Sequence, residues 1–182
     1  MRPRVARLLT TSSALAALAV VLTGTPAVAH DPAPPRVYAT VAGTRLHPKP
    51  PAWTLPVSGY HLTARFGQTS ALWHSVHTGL DFAAPEGTPI RSVTGGVVVS
   101  TTYDGSYGNK TVIRIPGGTL LWYAHQSDFA VSPGEHVATG QLIGYVGATG
   151  NVTGPHLHLE VRPTPDHPVD PDAYLVAHGL HP

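Results

Sequence analysis

The sequence contains no cysteine. It therefore forms no disulfide bond and holds no metal through a thiolate. A lipid anchor attached to a cysteine is excluded for the same reason. Any metal site must be built from histidine, aspartate and glutamate, and the chain has 12 histidines.

Long hydrophobic runs and blocks of basic residues are also missing. The apolar stretch Leu15–Leu22 is too short to span a bilayer, so we expect no membrane span. No basic block is interleaved with aromatic residues, so nucleic acid is not an expected partner.

The first 29 residues have the pattern of an export signal. Arg2, Arg4 and Arg7 precede the apolar stretch, and Ala27-Val28-Ala29 gives a small-x-small cleavage site. We therefore predict a signal peptide over residues 1–29 and an exported mature chain that begins at His30. Without the signal, eight Lys and Arg residues stand against ten Asp and Glu residues, a net charge of −2 with neutral histidines.

Two proline-rich stretches, Asp31–Pro35 and His47–Pro51, indicate an extended linker over residues 30–56. The remaining residues, 57–182, suffice for one hydrophobic core and show no internal repeat. We predict one domain there, with a motif core over residues 59–162 and a short C-terminal tail.

Short β-branched and aromatic runs between glycine-rich turns predict an all-β, mainly antiparallel domain. The runs 97–103 and 142–146 are two such strands. The runs 111–115 and 120–125 flank Pro116-Gly117-Gly118, which is typical of a hairpin. No window of helical length has an apolar stripe, and only a short helical turn is expected near residues 171–178.

The segment from His156 to Arg162 alternates polar and apolar residues, which predicts a half-buried strand. His156, His158 and Glu160 would share one face. The other face would carry the leucines and the valine between them. Residues two apart on a strand are roughly 6.5–7 Å apart, so both imidazoles can reach one small site.

Two further segments carry residues of the same chemistry. His77 and Asp81 are four residues apart around a glycine, and both can turn toward one cation. On the strand 120–125, alternation predicts that Tyr123 and His125 share a face. The histidines and carboxylates of the three segments are His77, Asp81, His125, His156, His158 and Glu160.

This inventory fits metal-assisted hydrolysis. A catalytic zinc site takes three His, Asp or Glu ligands and leaves one position for water. The zinc-bound water becomes a nucleophile near neutral pH, and the two remaining histidines can move protons or stabilise the oxyanion. The spacing alone does not say which of His156 and His158 binds the metal.

In their order and spacing these motifs resemble the lysostaphin-type (LytM-like) zinc metallopeptidases, which cut bacterial cell-wall peptides. The matching elements are Phe66-Gly67, His77-x-Gly79-x-Asp81, Gly87-Thr88-Pro89, Tyr123-Ala124-His125, Gly134 with Gly140-Gln141, Gly147-x-Thr149-Gly150 and Gly154-Pro155-His156-Leu157-His158-Leu159-Glu160. The resemblance implies a compact two-sheet antiparallel β domain with a substrate groove. It also implies a secreted, wall-associated endopeptidase that hydrolyses peptidoglycan peptides at the stem or the cross-bridge.

The resemblance further assigns the site residues. It implies that one Zn²⁺ per chain is held by His77, Asp81 and His158, and that His125 and His156 are catalytic. Beside these, Glu160 is a candidate for orienting its neighbours. Tyr123 is a candidate either for donating a hydrogen bond to the oxyanion or for packing. We expect a monomer.

Two alternatives accompany this interpretation. A cupin-type metal site also places His-x-His on a strand, but it requires a Glu four or five residues beyond the second histidine, where this chain has Arg162 and Pro163. A non-catalytic module that binds the wall or activates other wall hydrolases is the second alternative. It is weakened because this chain keeps every ligand that some relatives have lost.

Overall fold

A computed structural model of the chain describes residues 52–69 and 76–182. The predicted signal peptide and most of the predicted linker lie outside the described residues. The described strands are β1 His61–Ala64, β2 Leu80–Ala83, β3 Pro89–Arg91, β4 Gly96–Tyr103, β5 Asn109–Arg114, β6 Leu120–Phe129, β7 His136–Val137, β8 Leu142–Val146, β9 His156–Thr164 and β10 His167–Val169. A 3-10 helix (Gly105–Tyr107) and the helix α1 (Pro171–Ala177) complete the described elements.

The strands pair in antiparallel fashion in the order β1-β2-β9-β6-β5-β4-β7, so the predicted β class is confirmed. β10 adds to β9, and β8 joins β3 to the far end of β6. All ten described strands therefore belong to one hydrogen-bonded network, and the expected second sheet is present only as the β3–β8 branch. The hairpin β5–β6 and the strand Leu142–Val146 lie where the sequence placed them.

β9 is an interior strand of this sheet and lies between β2 and β6. Its apolar residues Leu157, Leu159 and Val161 are completely buried, as the alternation predicted. The opposite face is buried too: His158 is 5% exposed and Glu160 is 0% exposed. The prediction of a half-buried strand is therefore wrong, because other side chains cover the polar face as well.

The core lies on the face of β9 that carries Leu157, Leu159 and Val161. It includes Leu80, Phe82, Ile90, Val98, Ile113, Leu121, Tyr123, Ile143, Val146 and Leu175. These side chains come from β2, β3, β4, β5, β6, β8 and α1, so burial of apolar surface helps to fix β9 against its two neighbours.

The folded domain begins earlier than predicted. The backbone NH of Thr54 donates to Val93 O (2.8 Å), and Pro56 O accepts from the NH of Arg91 (2.8 Å). The Trp53 ring stacks on His178, with ring centroids 3.8 Å apart. The predicted linker end at residue 56 is therefore placed too far along the chain, since Trp53–Pro56 pack on the domain.

The expected helical turn near residues 171–178 is α1. Pro171 occupies its first turn, and the side chain of Asp170 caps it by accepting from the NH of Asp172 (2.9 Å). Within the part of the chain that the structure describes, no helix has the length and apolarity needed to cross a membrane.

Candidate metal centre

His77, Asp81 and His158 form a buried cluster whose candidate ligand atoms all lie within 4.8 Å of one another. Asp81 Oδ1 is 2.7 Å from His158 Nδ1, and Asp81 Oδ2 is 3.1 Å from His77 Nε2. The pairing of β2 with β9 brings this about, because it places Asp81 directly opposite His158. Two imidazoles and one carboxylate are the donor set of a catalytic zinc site.

Gly79 allows the loop that carries His77 to approach β9. A Cβ atom at this position would lie 2.5 Å from Leu159 O and 2.6 Å from His158 Cε1. Any side chain here would push against the His158 ring. The glycine between His77 and Asp81 is therefore a requirement of the site's packing.

Three of the site histidines have one ring nitrogen fixed by a backbone carbonyl. The pairs are His77 Nδ1 with Arg65 O (3.1 Å), His125 Nδ1 with Thr149 O (2.9 Å) and His156 Nδ1 with Gly154 O (2.9 Å). A carbonyl oxygen only accepts hydrogen bonds, so Nδ1 carries the proton in each pair. In the neutral ring, Nε2 is then left with a lone pair.

His158 is held by a carboxylate instead. Its Nε2 lies 3.0 Å from Glu160 Oε1. Thr78 Oγ1 and the Tyr107 hydroxyl also donate to Oε1, and Arg162 Nε donates to Oε2. Glu160 thus holds the proton of His158 on Nε2 and turns Nδ1 toward Asp81.

His125 and His156 lie beside the cluster. Their ring centroids are 4.7 Å apart, and the His125 centroid is 5.7 Å from that of His158. His156 Nε2 is 3.7 Å from Asp81 Oδ2. The structure therefore brings the four predicted histidines and Asp81 into one site.

Tyr123 is not part of this site, and the prediction that it shares a face with His125 is wrong. Tyr123 pairs with Leu159 on the core face of the sheet, is 0% exposed, and its hydroxyl accepts from the NH of Val93 (3.1 Å). His125 departs from the alternation because its backbone is left-handed, with φ 62°. This turns its side chain to the opposite face, so Tyr123 packs and does not reach an oxyanion.

The site has two carboxylates whose pKa values lie below their usual range. Burial opposes this shift for both groups. Hydrogen bonds from His158 and His77 nevertheless keep the pKa of Asp81 far below normal. Contacts with His158 and Arg162 lower the pKa of Glu160 to about 2. Asp81 is therefore an anion among the candidate ligands, and Glu160 is an anion behind the His158 ring.

The histidines respond to the same environment in opposite ways. Burial, together with the neighbouring His156 and His158, lowers the pKa of His125 to about 4. For His158, burial is outweighed by its hydrogen bonds to Asp81 and Glu160, which raise its pKa to about 9. His125 is thus neutral near pH 7, whereas the two carboxylates favour a positive charge at His158.

Several residues around Glu160 and His125 were not among the predicted site residues. Tyr107 and Arg162 surround Glu160, and Thr149 holds His125, yet none of them belongs to a recognisable ligand pattern. Tyr107 is 53 residues away from Glu160 along the chain. The fold brings Tyr107, from the 3-10 helix Gly105–Tyr107, against β9, and no local pattern indicates this contact.

Comparison with known proteins finds similar sequences and a similar structure. A family model described as peptidase family M23 matches residues 75–171. The DD-carboxypeptidase/endopeptidase Mpg of Neisseria meningitidis is 39% identical over 131 residues, which cover 70% of this chain and 25% of that protein. The peptidoglycan DD-endopeptidase ShyA of Vibrio cholerae is 46% identical over 85 residues, covering 47% of this chain and 20% of that one.

A solved structure is also similar to this chain. It is a zinc-containing peptidase from Vibrio cholerae, with a TM-score of 0.60 and 35% identity, covering 65% of this chain and 39% of that chain. The chain spans about a quarter or less of the length of the two curated relatives.

Proposed function

The chain belongs to peptidase family M23, and on that basis we propose that it is a zinc-dependent endopeptidase that hydrolyses peptide bonds of bacterial peptidoglycan. We further propose that it acts outside the cell, on the stem peptide or the cross-bridge of the wall. The observation that carries the proposal is the meeting of His77, Asp81 and His158 within 4.8 Å, with two more histidines beside them.

The residues of the cluster fit zinc. His77 would bind through Nε2, Asp81 through its carboxylate and His158 through Nδ1, because the opposite ring nitrogens are held by Arg65 O and Glu160. When bound at such a site, zinc lowers the pKa of a water molecule and polarises the carbonyl group under attack. We propose one ion per chain.

His125 and His156 are proposed as the catalytic histidines. Both have Nδ1 fixed on a backbone carbonyl, so Nε2 is the atom available for chemistry. One ring can accept the proton of the attacking water, and a protonated ring can stabilise the oxyanion or return the proton to the leaving amine. Their side-by-side position suits groups that act on one substrate.

The non-catalytic alternative receives no support from the site. A regulator has no need of two histidines with oriented Nε2 atoms beside a complete ligand set. The relatives named as endopeptidases also favour the enzyme.

Digestion of purified peptidoglycan tests the proposal. Zinc-loaded protein should release peptide fragments that mass spectrometry identifies, chelation should stop the release, and added zinc should restore it. Asp81→Ala should be inactive. Asp128→Ala, which removes an exposed aspartate that bonds only the next backbone NH among the hydrogen bonds described, should match the wild type. A folded, zinc-loaded protein that leaves every peptidoglycan intact would overturn the proposal.

A further inference from the structure

His125 lies at the point where β6 changes its partner. Ala124 still pairs with His158 of β9, whereas Gln126 pairs with Val146 of β8. Among the described residues other than glycine, only His125 has a positive φ, 62°. A left-handed backbone is unfavourable for a residue with a Cβ, so the surroundings must hold it.

Thr149 contacts the His125 side chain and the backbone of the residue that follows it. Its carbonyl oxygen accepts a hydrogen bond from His125 Nδ1 (2.9 Å). Its hydroxyl donates to Gln126 O (2.9 Å) and accepts from the NH of Asn109 (2.9 Å). One residue therefore fixes the His125 ring and also the backbone of the residue that follows it.

Thr149 is itself held tightly between two loops. A Cβ at Gly108 would lie 2.4 Å from the Thr149 carbonyl carbon, and a Cβ at Gly150 would lie 2.4 Å from Gly108 N. The NH of Asn151 donates to Ser106 O (2.9 Å) across the same contact. The two glycines let the backbones meet, so Thr149 has little freedom to move.

We propose that Thr149 is a positioning residue for His125. Its carbonyl sets the tautomer, and its hydroxyl holds the distorted backbone so that Nε2 faces the site. The inference rests on the proposed function for its effect on rate, whereas the hydrogen bonds themselves are independent of any activity. A displaced general base loses rate steeply with distance.

Two variants separate the hydroxyl from the shape of the side chain. Thr149→Val keeps the branched shape and removes both hydroxyl bonds, and Thr149→Ser keeps the hydroxyl. We expect the valine variant to lower kcat about tenfold or more while KM changes less than about twofold, and the serine variant to stay within about threefold of wild type. Thr94→Val is the matched control, because it removes a hydroxyl bond to Ala52 O (2.8 Å) on another part of the domain.

The ring of His125 gives a readout that does not need activity. ¹⁵N NMR of the zinc-loaded protein should show His125 protonated on Nδ1 in the wild type and in Thr149→Ser. In Thr149→Val the His125 signals should shift or broaden, with zinc content unchanged. If the wild type hydrolyses nothing, the proposed function fails and the spectra still decide the role of Thr149.

Three results would overturn the inference. One is a Thr149→Val protein with wild-type kcat and unshifted His125 signals. Another is a kcat of Thr149→Ser that falls as far as that of Thr149→Val, since packing of the side chain rather than its hydroxyl would then matter. The third is a wild-type protein in which His125 carries its proton on Nε2. That result would exclude the hydrogen bond from Nδ1 to Thr149 O, even if the valine variant does not fold.

Discussion

His158 Nε2 lies 3.0 Å from Oε1 of Glu160, on the side of the ring opposite Asp81. One imidazole thus lies between two buried carboxylates, one facing the cluster and one behind it. Glu160 accepts a hydrogen bond from Nε2, which leaves the Nδ1 lone pair for a metal ion. Several testable consequences depend on this arrangement and on the packing around it.

Glu160→Gln should weaken zinc binding about 10- to 100-fold. The carboxylate accepts from His158, Thr78 and Tyr107 on one oxygen and from Arg162 on the other. The NH₂ group of a glutamine amide would face one of these two sets of donors in either orientation. It would therefore lose those hydrogen bonds. Competition with a chromophoric chelator measures the zinc affinity.

The control for that measurement is Glu135→Gln. Glu135 accepts hydrogen bonds from Ser132 and Gln141, away from the cluster. The zinc affinity of the Glu135→Gln variant should therefore equal that of the wild type. Equal affinities for the Glu160 and Glu135 variants would show that Glu160 does not orient the ligand.

Gly79→Ala should destabilise the protein and reduce its zinc content. The added Cβ would meet Leu159 O at 2.5 Å and His158 Cε1 at 2.6 Å, so a strand or a ligand ring must move. We expect a loss of about 1–3 kcal/mol in the free energy of unfolding, as for other overpacked sites. Denaturant titration checks this figure.

Gly154→Ala is the matched control for stability, since its Cβ would meet no atom within 4 Å. A Gly79→Ala protein as stable as this control, with full zinc content, would contradict the close packing of Gly79 on His158.

Tyr123→Phe separates packing from catalysis. The hydroxyl accepts from the NH of Val93 (3.1 Å) inside the core, so its removal should cost about 1 kcal/mol of stability. The hydrolysis rate should remain within about twofold of wild type. Thermal unfolding and a peptidoglycan digestion measure the two effects. A large fall in rate with unchanged stability would restore Tyr123 as an oxyanion donor.

Much of the fold could be predicted from the sequence, because alternation and glycine-rich turns are local signals. The strand Leu142–Val146, the β5–β6 hairpin and the turn that became α1 were found in this way. The apolar face of β9 was also predicted correctly, since leucine and valine alternate with polar residues along it.

What failed depended on non-local packing or on one unusual backbone angle. The left-handed φ of His125 reverses the face of its side chain, and no periodicity reveals such a residue. The polar face of β9 is buried because Tyr107 reaches Glu160 from a distant loop. The resemblance, rather than the spacing, separated His156 from His158, and their roles remain predictions.

We propose that His158 holds the metal while His156 and His125 move protons. Each residue should be replaced by alanine, and each variant should be checked for folding by circular dichroism. Zinc content and hydrolysis rate are then measured on the same samples. His158→Ala should lose zinc and turnover together. His156→Ala and His125→Ala should keep zinc and lose about 10²–10⁴ in rate. Zinc lost from His156→Ala but retained by His158→Ala, or full activity in any of the three variants, would contradict these roles.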